Sequence, residues 1–100
     1  MTAVRRLPGV DQEVIEAVDY YRAIDFQLGA RLVQEFEDAV QRIVHFPEGW
    51  KEIGTGLRRC GLKKFPFVVI YRHRGDEVII IAFANTHRRP DYWRDRVKSQ

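Results

Sequence analysis

The sequence predicts an α+β fold in which a helical hairpin packs on a largely antiparallel sheet. Three observations carry that prediction. Two stretches in the first half repeat their apolar residues at helical spacing. The second half holds two long runs of β-branched and aromatic residues separated by a tight-turn signal. Neither half contains an internal repeat, so the elements run once through in the order β-α-α-β-β-β-α.

Ala3 to Leu7 stops at Pro8-Gly9 and reads as an edge strand or a frayed end. From Val10 onward, apolar residues at 10, 14, 17, 18, 21 and 24 mark one helix face. Asp11 is placed as its N-cap, with Glu13 and Glu16 complementing the positive end of the helix dipole. A break over Asp25–Gly29 separates it from a second stripe: Leu32, Val33, Phe36, Ala39, Val40, Ile43 and Val44. That helix must stop before Pro47, which has no N–H to donate. Pro47 to Gly56 reads as irregular, and Leu57 to Leu62 as a strand. Phe65 to Arg72 is apolar on both faces and therefore central, with Pro66 near its start or at a bulge. His73-Arg74-Gly75-Asp76 is a turn, and Glu77 to Asn85 completes a hairpin. Pro90 suits the first turn of a last helix over Asp91–Val97.

One hundred residues, 45% hydrophobic and 31% charged, fit one globular domain spanning residues 1–100 and exclude a separate cofactor domain. Cys60 has no second cysteine to bridge to, and it reads as a small apolar filler. The longest apolar run, Val78 to Ala84, has seven residues, well short of a membrane span, and the N-terminus lacks a signal-like apolar segment. A cytoplasmic protein without membrane association is expected.

The charge is segregated. Residues 1–56 carry six Lys/Arg against ten Asp/Glu, and residues 57–100 carry eleven against four, giving −4 and +7 for the stated total of +3. A basic half calls for an anionic partner, either nucleic acid or an acidic protein segment, unless the lysines merely guard a sheet edge. No metal site is readable, since His45, His73 and His87 lack ligand spacing, and no glycine loop suits a phosphate. No cofactor is expected. The cluster His87-Arg88-Arg89-Pro90-Asp91-Tyr92-Trp93-Arg94 follows the last strand and combines guanidinium groups with flat aromatic surfaces. Trp93 there either anchors the terminal helix or meets a partner.

Several blocks together resemble the RelE/ParE superfamily of toxins from bacterial type II toxin–antitoxin systems. They are Glu16-Ala17-Val18-Asp19-Tyr20-Tyr21, Phe36-Glu37-Asp38-Ala39 through Phe46-Pro47, Gly56-Leu57-Arg58-Arg59, Lys64-Phe65-Pro66-Phe67 with Ile70-Tyr71-Arg72, and Arg88-Arg89-Pro90-Asp91-Tyr92-Trp93-Arg94-Asp95-Arg96. The resemblance implies a helical hairpin on a twisted, mainly antiparallel sheet, here about four strands, plus a short C-terminal helix. It also implies a growth inhibitor neutralised by a cognate antitoxin in a hetero-oligomer.

The superfamily has two branches: ribosome-dependent, metal-independent mRNA endoribonucleases, and ParE-like poisons of DNA gyrase. Val68 stands where the nuclease branch carries a catalytic arginine, and Asn85 where close relatives carry histidine. An amide cannot shuttle protons near neutral pH, and valine supplies no charge, so the ParE-like branch with gyrase as target is the expectation. Arg58, Arg59, Arg88, Arg89 and Trp93 are the expected target or antitoxin contacts. The alternative, mRNA cleavage on the ribosome, would rest on His87, Arg58 and Arg89.

Overall fold

The computed structural model describes residues 2–88 and 91–98. Its elements are β1 (Ala3–Arg6), α1 (Val10–Ile24), α2 (Phe26–His45), β2 (Glu52–Gly54), β3 (Leu57–Gly61), β4 (Phe67–Arg74), β5 (Glu77–Asn85) and α3 (Arg94–Val97). The sheet has five strands in the order β1-β5-β4-β3-β2. All neighbouring pairs are antiparallel except β1 with β5, which are parallel because the helical hairpin carries the chain across. The stretch expected to be irregular contains β2, a three-residue edge strand whose register shifts between Glu52 and Gly54.

Two apolar layers result. Val69, Tyr71, Val78, Ile80 and Phe83 face the helices, where they meet Leu32, Phe36, Ala39 and Ile43 of α2. On the opposite face Leu57, Val68, Ile70, Ile79 and Ile81 pack with Leu7 and Trp93. Strands buried on both faces need apolar residues at consecutive positions, which is why β4 and β5 carry unbroken runs. A bulge keeps the two faces in phase. Ile70 pairs with Ala82 but Tyr71 pairs with Ile80, so Ile81 is the extra residue. Ile81 and Ala82 therefore both join the second layer.

Local chemistry moves several element ends from their expected positions. Gly9, at φ 101°, is the N-cap of α1, and Asp11 instead accepts from Arg6 at 2.9 Å. The inter-helix break is only Asp25, which ends α1 and caps α2 by accepting from the Gln27 N–H at 2.9 Å. Gly29 lies inside α2, close to Arg22 and Val18 of α1. Strand β4 starts at Phe67 because its N–H turns back to the Phe65 carbonyl and Pro66 has none to give. The terminal helix starts at Arg94 rather than Asp91, whose φ of 64° is left-handed and cannot open a right-handed helix. Pro90 lies outside the described residues.

Gly9 also faces Arg96: a Cβ there would sit 2.9 Å from Nη2. Gly9→Ala therefore combines a left-handed backbone penalty with a clash. It is expected to lower stability by about 1–2 kcal/mol in urea unfolding.

Candidate functional site

Alternation along β3 sends Arg58 and Cys60 toward the helices and Leu57 and Arg59 to the other side. That other side carries a groove of ≈ 240 Å³. Its floor is Val68, Ile70 and Ala84 of the two central strands. Its rims are guanidinium groups: Arg59 from β3, Arg88 from the turn after β5, and Arg94 from α3. Asp91 is the single carboxylate among the described lining residues, and its Oδ1 lies 3.4 Å from Arg94 Nε. Positive charge over an apolar floor is built to hold an anionic, partly apolar surface.

The groove wall depends on a clasp from α1. Strand β1 is four residues long and β5 nine, so β5 continues past the end of its parallel neighbour. Two of the backbone groups beyond that point are met by side chains. Glu13 Oε1 accepts from the Phe83 N–H at 3.0 Å, and Arg96 Nη1 donates to the Ile81 carbonyl at 3.1 Å. The same two side chains form a two-pronged ion pair, Nη1 to Oε1 at 3.0 Å and Nη2 to Oε2 at 3.1 Å. Tyr92 donates its phenol to Glu13 Oε2, and the Arg96 guanidinium lies 5.4 Å from the Tyr92 ring centre. Burial, reinforced by the bonded Glu13 carboxylate, pushes the Tyr92 phenol above its ordinary pKa and keeps it a donor.

At the far end of the sheet a second set of bonds serves the loop before β2. Tyr71 donates to the Pro47 carbonyl at 2.5 Å, and Arg58 donates to the carbonyls of Trp50 at 2.8 Å and Glu48 at 3.4 Å. Burial pushes the Tyr71 phenol up to about 12, against a pull downward from Arg58. The unfolded phenol ionises near 10, so raising the pH from about 10 removes protons from the unfolded chain first. Stability is therefore expected to fall between about pH 10 and pH 12, and the Tyr71→Phe variant should lose part of that dependence. Denaturant titrations across that interval check both. Cys60 is fully buried and its thiol is raised by desolvation, in keeping with an inert core residue.

The expected contact residues divide. Arg59 and Arg88 share the groove. Arg58 faces the helix side and is engaged by loop carbonyls, so it is not part of that rim. Trp93 is only 4% exposed; it anchors the terminal segment in the second apolar layer, with Arg94 4.9 Å over its ring. Arg89 lies outside the described residues. Two further participants, Arg94 and Glu13, are not among the expected contact residues. Arg94 was legible only as part of the basic cluster, and Glu13 only as a first-turn acid.

Of the residues expected for RNA cleavage, the two that are described, Arg58 and His87, are not brought together. Arg58 pairs with Tyr71, whereas His87 lies two residues beyond Asn85, which pairs with Phe67. Four strand residues put at least about 13 Å between those levels. His87 instead lines an adjoining cleft beside α1, which shares Asn85, Arg88 and Tyr92 with the groove. Among the described residues no group of three His, Cys, Asp or Glu side chains could hold a metal ion. None of the described helices is long and apolar enough to cross a membrane.

Residues 4–92 match the family described as the ParE toxin of the type II toxin–antitoxin system parDE. The chain belongs to the ParE toxin family. It is thus the toxin half of a type II pair, and a cognate antitoxin is its partner. A solved chain described as the chromosomal ParDE toxin–antitoxin system from P. aeruginosa shares the fold, with a TM-score of 0.68 at 17% identity. The alignment covers 87% of this chain and 98% of that one. No curated protein matches in sequence. The helical hairpin, the mostly antiparallel sheet and the short terminal helix of this ParE-family toxin are those expected of the superfamily.

Proposed function

We propose that this ParE-family toxin acts in the cytoplasm by binding DNA gyrase and trapping cleaved DNA, with Arg59, Arg88 and Arg94 as its contact groups. One observation carries the reading. The floor of the cationic groove is hydrocarbon, Val68, Ile70 and Ala84, and its described lining carboxylate, Asp91, lies against Arg94, an arrangement suited to holding a partner more than to the proton transfer that phosphodiester cleavage needs. Such a surface recognises and holds a partner. The cognate antitoxin neutralises the toxin by laying an acidic segment along the same guanidinium rim, so antitoxin and gyrase compete for it in a toxin–antitoxin hetero-oligomer. Long-range attraction of this kind weakens with salt, because the screening length shrinks to about 8 Å at 0.15 M.

The test is a supercoiling and DNA-cleavage assay with purified toxin and gyrase. Inhibition with accumulation of cleaved DNA, relieved by antitoxin, is expected. Undisturbed supercoiling at large toxin excess would refute the proposal. New mRNA 5′ ends after induction, in cells whose gyrase works normally, would point to RNA cleavage instead.

A further inference from the structure

We propose that the cleft between α1 and the open end of the β4–β5 hairpin binds a guanine mononucleotide. This lies beyond the gyrase reading and does not depend on it. The cleft measures ≈ 570 Å³, within the roughly 300–1,000 Å³ typical of small-molecule sites.

Its walls are aromatic. Tyr20, Tyr21, Phe67, Phe83 and Tyr92 all line it. Tyr20, Tyr21 and Tyr92 supply its accessible rings, over a floor closed by the buried Phe67 and Phe83, which stack on each other at 4.6 Å. Planar walls of this kind accept a planar heterocycle. The charged groups come from different walls of the cleft. Arg88 and His87 border the strand-end side, and Glu13 and Glu16 border the α1 side.

The two carboxylates differ in availability. Glu13 already receives the Phe83 N–H, the Tyr92 phenol and both Arg96 prongs. Glu16 is exposed and, among the described residues, receives a long 3.3 Å bond from Gln12. An ionised carboxylate is acceptor-only, so it selects a ring edge presenting two adjacent donors. Guanine offers N1–H and the 2-amino group side by side. Adenine and cytosine place a ring acceptor beside their amine, which a carboxylate repels. From the wall after β5, Arg88 supplies the two-pronged donor that a phosphate takes. Base, stacking surface and phosphate are thereby matched in one cavity.

The test is equilibrium binding to the purified full chain, using GMP, AMP, guanosine and a short single strand ending in guanine. GMP is expected to bind at least about 10-fold tighter than AMP, the discrimination usual for a two-point base contact. Guanosine should bind more weakly than GMP. Glu16→Gln, which keeps shape and sits on an exposed position, should weaken GMP by about 10-fold or more and erase the preference over AMP. Its unfolding midpoint should match wild type. Tighter binding of the oligonucleotide, with the same Glu16 dependence, would identify a nucleic-acid end as the source of the guanine; tighter GMP binding would identify the free nucleotide. No GMP binding up to about 1 mM, or an unchanged base preference in Glu16→Gln, overturns the proposal.

Discussion

Glu13→Ala is expected to lower the free energy of unfolding by about 2–3 kcal/mol, because it removes a partly buried carboxylate that satisfies several donors. The Glu13 side chain is 16% exposed and that of Arg96 25%, so little solvent is available to replace the lost partner. Deleting the carboxylate takes a shared acceptor from three donors at once: the Phe83 N–H, the Tyr92 phenol and the Arg96 guanidinium. Domains of this size have only about 5–15 kcal/mol in total, so the loss is a large fraction of stability. Glu13→Gln can still accept from Phe83 and Tyr92 but gives up the negative charge that Arg96 faces, and it should fall between alanine and wild type. Denaturant unfolding of the three proteins settles the order. A loss below about 1 kcal/mol, the level of an exposed pair, would show that the clasp is superficial.

Reversing charge at the groove, Arg59→Glu with Arg88→Glu, should abolish growth arrest at equal expression while the fold survives. Both residues are exposed and neither belongs to an apolar layer, so the penalty falls on recognition. Two like charges introduced against an anionic partner should weaken association by about 100-fold or more, chiefly through slower encounter. Binding of the antitoxin should weaken in parallel, because it uses the same rim. If toxicity persists undiminished, the groove is not the contact surface.

Periodicity made both helices legible because each buries one stripe against the sheet, as Leu32, Phe36, Ala39 and Ile43 do. The two long strands were legible for the complementary reason, burial on both faces. Strand β2 was not, since Glu52-Ile53-Gly54 is too short for alternation to stand out. The parallel pairing of β1 was equally hidden, because register with β5 is set by tertiary packing and not by local sequence.

The site was legible in its charge but not in its geometry. The acid-free stretch from Leu57 to Arg74 announced a basic surface. It could not tell that neighbouring residues Arg58 and Arg59 diverge to opposite faces, one holding loop carbonyls and the other lining the groove. Trp93 shows the same limit, since an aromatic beside arginines reads alike whether it anchors a helix or meets a partner. Glu13 was beyond reach altogether: its partners Phe83, Tyr92 and Arg96 lie 70 to 83 positions away in the chain.

The gyrase cleavage assay tests the role of the groove most directly when two doubly substituted toxins are compared. Arg59→Glu/Arg88→Glu alters the rim, whereas Arg31→Glu/Lys64→Glu makes the same change in net charge at exposed positions, one on α2 and the other in the loop whose backbone α2 holds through Glu35. The first should fail to trap cleaved DNA at concentrations where wild type succeeds, and the second should retain trapping. Equal loss in both, or full trapping by the first, would contradict the assignment of the cationic groove as the surface through which this toxin works.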